Sequence, residues 1–231
     1  MRLIPTPIFS AAGVFRTASL CLVLAPLSFL AASSVDAADT NVVFQEDFES
    51  GIERWEVLDP ATWAIESRDG NHTFAITQRK SDYSPPTRSP RHVALVKDLE
   101  LGSFEITFRV RSTNDTGNHR DCCVFFNYQD NQHFYYVHLG AKPDPNSGQI
   151  MIVQEAPRLA LTKNKRLTPW DDQWHNVRVI RDVESGAIEI YFDDMQTLHM
   201  RVNDKRFITG RIGIGSFDDM NEFDDIVIRS R

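Results

Sequence analysis

Phe104-Glu-Ile-Thr-Phe-Arg-Val-Arg111 alternates apolar and polar side chains. Neighbouring residues of an extended chain point to opposite faces, so Ile106, Phe108 and Val110 share one face and Thr107, Arg109 and Arg111 the other. Outward from this stretch the same period returns. Val177 and Val179 oppose Asn176 and Arg178 within Trp174–Arg181; Ile188, Ile190 and Phe192 share a face of Ala187–Asp193; Ile226 and Ile228 do so near the C-terminus. No stretch after residue 37 sustains a helical period. Turn signals separate the runs: Arg68-Asp-Gly-Asn71, Thr113-Asn-Asp-Thr-Gly117, Asp144-Pro-Asn-Ser-Gly148 and Glu184-Ser-Gly186. Short alternating strands between such turns predict an all-β fold, a two-sheet antiparallel sandwich, with one domain over residues 38–231.

The 231 residues carry 25 Lys+Arg against 32 Asp+Glu, a net charge of −7, with 42% apolar and 25% charged residues. That composition excludes a disordered or collagen-like chain, and its acidic balance argues against nucleic acid as a partner. Residues 1–37 read as an export signal: Arg2 and Arg16 supply positive charge, and Ala18–Leu30 is an apolar run shorter than the roughly 20 residues of a spanning helix. Val35 and Ala37 suit a cleavage site after residue 37, and Leu20 before Cys21 does not suit a lipoprotein signal. The expected product is a monomer, secreted or periplasmic, with no membrane association after cleavage. Cleavage removes Arg2, Arg16 and Asp36 and leaves Cys122 and Cys123 as the remaining cysteines. Adjacent strand residues point apart, so these two read as free thiols, one in the core and one on a sheet face.

The hairpin Cys122–Leu139 is the most informative for function. With Gln129–Gln132 as its turn, Tyr128 pairs with His133, Phe126 with Tyr135 and Val124 with Val137, and those residues form the core face with Leu139. The opposite face then carries Cys123, Phe125, Asn127, Phe134, Tyr136 and His138. Aromatic faces stack on sugar C–H groups while Asn and His reach hydroxyls, so this row reads as a carbohydrate site, or as a face covered by another sheet or loop. Asn127, Tyr136 and His138, with Arg109, are the candidate catalytic groups; Phe125, Phe134, Arg111, Arg91 and His92 are the candidate substrate contacts, with Arg88 beside them. His133 and His175 read as hydrogen-bonded structural histidines. The Pro-rich Ser81–Pro90 reads as a surface loop at the mouth of a site or as a solvated connection.

A family resemblance follows from several motifs. Phe44-Gln-Glu-Asp-Phe-Glu49 with Trp55 is similar to the opening strand of concanavalin A-like lectins and glucanases. Trp174-His-Asn-Val-Arg-Val-Ile-Arg-Asp182, Gly186-Ala-Ile-Glu-Ile-Tyr-Phe-Asp-Asp194, Gly210-Arg-Ile-Gly-Ile-Gly-Ser-Phe-Asp-Asp219 and Phe223-Asp-Asp-Ile-Val-Ile-Arg229 continue the pattern. The order resembles laminin-G-like jelly rolls and the 3-keto-disaccharide hydrolases, distant relatives of family 16 glycoside hydrolases. The resemblance implies two curved antiparallel sheets with ligand on the concave face. It also implies a structural Ca²⁺ held by Asp225 with Glu46 or Asp47 and a backbone oxygen near Gly70, since Ca²⁺ takes hard oxygen ligands. The acidic run Asp218–Asp225 reads alternatively as a plain acidic turn.

The family 16 E-x-D-x-E pattern is absent, and Glu46 and Asp47 face opposite ways, so they cannot act as a facing carboxylate pair. No G-x-S-x-G, H-E-x-x-H or phosphate loop occurs, and no organic cofactor is expected. Three classes remain. One is glycoside cleavage in the manner of 3-keto-disaccharide hydrolases, or lyase-type β-elimination on a uronic-acid glycan. A second is a non-catalytic lectin-like or laminin-G-like module that binds carbohydrate or protein. A third is a structural or surface-assembly protein. Carbohydrate is the favoured partner.

Overall fold

A computed structural model describes residues 41–231, so the export-signal reading of residues 1–37 lies outside the described residues. The described strands are β1 (Asn41–Glu46), β2 (Trp55–Val57), β3 (Trp63–Arg68), β4 (Asn71–Ile76), β5 (His92–Leu101), β6 (Phe104–Ser112), β7 (Cys123–Asp130), β8 (His133–His138), β9 (Gln149–Gln154), β10 (Leu159–Ala160), β11 (His175–Arg181), β12 (Ala187–Phe192), β13 (Met200–Asn203), β14 (Gly210–Ser216) and β15 (Asn221–Ser230). They form two antiparallel sheets. One runs β13-β12-β11-β6-β15-β4-β3 with β1 also paired to β15; the other runs β10-β9-β8-β7-β14-β5-β2. Among the described residues no helix is long and apolar enough to cross a membrane.

The alternation of Phe104–Arg111 is borne out. Phe104, Ile106, Phe108 and Val110 are buried between the sheets, and Phe108 pairs with Val177 and Val179 with Ile106 across β6 and β11. Val124, Phe126, Tyr135 and Val137 meet them from the second sheet. Burial at about 25 cal/mol per Å² of apolar surface makes this inter-sheet layer the main source of cohesion. The second sheet is also apolar on its outer side. Val93, Leu95, Cys123, Phe125, Tyr128, Phe134, Tyr136, Met151 and Val153 form a separate buried cluster there. The segment after β4 lies over it: Ser81 is anchored by its hydroxyl to Asp59 (2.6 Å), Tyr83 sits beside Tyr128, and the Arg88 carbonyl accepts from the Arg158 backbone (3.1 Å).

Two expectations for the hairpin are corrected. Phe126 pairs with Tyr135 and Val124 with Val137 as expected, but Asp130, not Tyr128, pairs with His133. Asn127, Tyr128 and Gln129 together oppose the single Phe134, and Asn127 is left-handed at φ +42°. This bulge turns Tyr128 out to the second cluster and Asn127 inward. Gly210 permits it: a Cβ there would lie 2.5 Å from the Asn127 carbonyl carbon. Asn127 is fully buried, donates to the carbonyl oxygens of Leu101 and Gly102, and accepts from Arg181 Nε (3.1 Å). Arg181 is fully buried too, and its remaining donors reach the Gly186, Asp204 and Phe207 carbonyls at 2.7–2.9 Å. Asn127 therefore satisfies a buried cation and is no part of a sugar-facing row.

Candidate functional site

The aromatic row expected to meet sugar is closed. Phe125 and Tyr136 have no exposed surface and Phe134 is 3% exposed, so these side chains pack under the 77–91 segment instead of lining an open groove. Burial pushes the Tyr136 hydroxyl well above its ordinary range, and that oxygen has no partner among the described residues. His92 is equally enclosed: burial lowers its ring, and neither nitrogen has a partner among the described residues.

Arg109 and Arg111 lie on the other sheet and do not meet His138. Arg109 ion-pairs with Asp224 (2.8 Å) and Asp225 (2.6 Å), and Arg111 with Glu222 (2.5 Å), both guanidinium groups resting against Trp174. The acidic run is divided: Asp218 and Asp219 lie in the connection between β14 and β15, whereas Glu222 and Asp224 are buried on β15 and serve those arginines. Glu46 accepts from the Phe48 backbone, Asp47 from the Glu49 backbone, and Asp225 is held by Arg109. Among the described residues these three carboxylates form no converging group of ligands; the side chains that converge are Asp121, Cys123 and His138.

His138 marks the actual opening. It ends β8 at the edge of the second sheet where β7, β5 and β9 begin and β14 ends. There the loops supply a cleft of about 650 Å³ lined by Arg88, Asn118–Asp121, His138, Lys142, Asp144, Asn146, Ser147, Arg158, Phe217 and Asp218. A neighbouring cleft of about 710 Å³ shares Arg88, Phe217 and Asp218 and adds Arg79, Lys80 and Arg91. Of the sequence candidates, His138, Arg88 and Arg91 reach this region; sequence reading missed Asp121, Arg158, Lys142 and Phe217. All four missed residues sit in connections, which carry no periodic signal.

His138 Nδ1 lies 3.0 Å from the Asn146 carbonyl oxygen. A carbonyl only accepts, so Nδ1 carries the hydrogen and Nε2 is turned towards Asp121 Oδ2, 3.7 Å away. The ring stacks on Phe217 at 5.7 Å. Burial would raise the Asp121 carboxyl, but neighbouring His138, the Phe217 N–H and the Ser216 hydroxyl outweigh it and hold it below its ordinary value. Behind it Asp219 accepts from Ser112 (2.8 Å) and Thr116 (3.1 Å), yet burial, reinforced by the Asp121 charge, pushes it up to about 6.

The cations of the cleft are disposed differently from those on the strands. Arg88 and Arg158 both lie over the Phe217 ring, at 5.6 and 4.2 Å. Neither has an acidic partner among the described residues, and Arg158 Nε and Nη1 are enclosed without a hydrogen bond. Arg120, by contrast, is taken by Asp172 (2.5 Å). Guanidinium groups held without a counter-charge beside an aromatic face can receive an oxyanion and stack a ring.

No family model matches the sequence, and no curated protein matches it. Solved structures do. A carbohydrate-binding module, CBM66, from Bacillus subtilis superposes with a TM-score of 0.54 at 15% identity, covering 77% of this chain and 96% of that one. Winged bean acidic lectin, solved with methyl-α-D-galactose, gives 0.51 at 13% identity, covering 83% and 98%. A lectin from Bauhinia forficata, solved with GalNAc, gives 0.51 at 14% identity, covering 82% and 97%. At these identities the similarity establishes the fold, which is the concanavalin A-like jelly roll.

Proposed function

We propose that this domain binds an acidic carbohydrate in the cleft at the His138 end of the second sheet. The observation that carries the reading is the pair Arg88 and Arg158, uncompensated over Phe217 in a chain of net charge −7. The arginines, held over Phe217, and Lys142 attract a carboxylate, and Asn118, Asn146 and Ser147 supply hydrogen bonds to hydroxyls. That its fold-mates include proteins described as carbohydrate-binding supports the same reading. An export signal over residues 1–37 fits a ligand met outside the cytoplasm. The test is calorimetric titration with oligouronates and with neutral oligosaccharides of equal length. Oligouronates should bind at least tenfold more tightly, and added salt should narrow the gap. Equal affinity for both would overturn the reading.

Cleavage is the second reading, favoured by His138 Nε2 beside Asp121 at the cleft floor. In a β-elimination, Arg88 and Arg158 would neutralise the substrate carboxylate and His138 would take the proton next to it; as the C=C bond forms, the bond to the glycosidic oxygen on the β-carbon would break and that oxygen would take a proton from water. A 3-keto-glycoside would place an equally acidic proton there. Tyr136 is buried beneath the cleft, its ring 6.2 Å from that of His138, and Asn127 is committed to Arg181; neither lines the cleft, and they take no part in this version. Incubation with polyuronate and with 3-keto-disaccharide, followed for new ends and repeated with His138→Ala, decides between binding and cleavage; an uncleaved substrate that still binds leaves the first reading standing alone.

A further inference from the structure

We infer that Asp121, Cys123 and His138 form a binding site for a divalent transition metal of the zinc class in the floor of this cleft. The inference does not depend on the carbohydrate reading. The three donors come from the loop before β7, the start of β7 and the end of β8, where Cys123 and His138 are direct cross-strand partners. Cys123 Sγ lies 3.8 Å from Asp121 Oδ1, His138 Nε2 lies 3.7 Å from Asp121 Oδ2, and all three donor atoms fall within 4.8 Å of one another. Tetrahedral zinc with ordinary bond lengths separates such donors by about 3.3–3.5 Å, so the contacts to Asp121 need to close by a few tenths of an ångström and the Cys123–His138 pair by up to about 1.3 Å.

The supporting contacts are those a metal site needs. The Asn146 carbonyl fixes the His138 ring by accepting from Nδ1, which leaves Nε2 to donate its lone pair. Ser216 Oγ and the Phe217 N–H, each at 2.9 Å, hold Asp121 Oδ1. Among the described residues Oδ2 has beyond His138 only the Asp218 N–H at 3.5 Å. A thiolate with a carboxylate cancels the double charge of the ion, which makes its burial tolerable. A sulfur, a nitrogen and a single carboxylate select zinc, cobalt or nickel over calcium and magnesium. Asp121 and His138 line the cleft while Cys123 lies beneath it, so the fourth position opens to the cleft and suits a water or a ligand oxygen.

Cys122 supplies an internal control, since it points into the inter-sheet core. The full chain, stripped with chelator, is titrated with Co²⁺ and followed for the sulfur-to-cobalt charge-transfer band, then challenged with Zn²⁺. The expected result is one equivalent bound with a thiolate band, displaced by Zn²⁺, with a raised melting temperature in Zn²⁺. The band should persist in Cys122→Ser and vanish in Cys123→Ser, and affinity should fall at least tenfold in His138→Ala. A wild-type spectrum without a thiolate band overturns the inference with no variant needed. So does a band that survives Cys123→Ser or is lost in Cys122→Ser alone.

Discussion

The outer surface of the eight-stranded sheet and the loop cleft of the seven-stranded sheet both display arginines, and they use them in opposite ways. On the first, Arg109, Arg111 and Arg178 each meet a carboxylate of a neighbouring strand, at 2.5–2.8 Å. On the second, Arg88 and Arg158 meet none among the described residues. Strand arginines stand at fixed register, so the sheet itself brings an acid to each; Asp224 faces Arg109 directly across β15 and β6. Loop arginines have no such partner row: Arg120 finds Asp172 across the loops, whereas the charge of Arg88 and Arg158 is left for something else. The teaching is that pairing, and not the number of cations, separates scaffold from site.

That contrast can be broken or sharpened by substitution. The largest effect should come from Arg181, the most completely paired cation of all. Arg181→Ala leaves three acceptors, Asn127 Oδ1 and the Asp204 and Phe207 carbonyls, without a donor, and should cost about 3–5 kcal/mol in urea unfolding, with no selective loss of ligand. Next comes Asp219, a buried acid at the cleft end with no cation beside it. Its folded-state value of about 6 lies above the ordinary 3.8, so its contribution is fully present below about pH 4 and lost as pH rises through 6. Wild type should therefore lose on the order of 3 kcal/mol relative to Asp219→Asn between pH 4 and pH 7; parallel stability curves would refute this. Arg158→Ala should lower oligouronate affinity at least tenfold, about 1.4 kcal/mol, while leaving unfolding nearly unchanged. Arg109→Ala should be the mildest, within about 1 kcal/mol by unfolding, because its pair is partly solvated, and should leave ligand affinity untouched.

The scaffold was legible where geometry repeats. The period of Phe104–Arg111 fixes which side chains enter the inter-sheet layer, and placing the hairpin turn at Gln129–Gln132 gives the observed pairing of Phe126 with Tyr135, though not that of Asp130 with His133. Legibility stopped at Asn127. Its left-handed backbone depends on the close approach of Gly210, about eighty residues later, which no local pattern encodes. A period of two also separates two faces without saying which is covered, so the row Phe125, Phe134 and Tyr136 read as open when the 77–91 segment in fact shields it. Arg109 looked available for the same reason, its partners Asp224 and Asp225 being far along the chain. The cleft residues Asp121, Arg158 and Phe217 meet only through loop placement, and of the candidates His138, Arg88 and Arg91 reach their region.

Phe217 carries a last consequence. Two guanidinium groups share its one ring, and like charges held side by side repel. The fold thus sustains a repulsion between these two groups that an acidic ligand of the kind proposed would relieve. On the proposed acidic-sugar reading, stability and binding are set against each other at this ring, so the sequence changes that would most easily toughen the protein are those that would weaken its hold on the ligand.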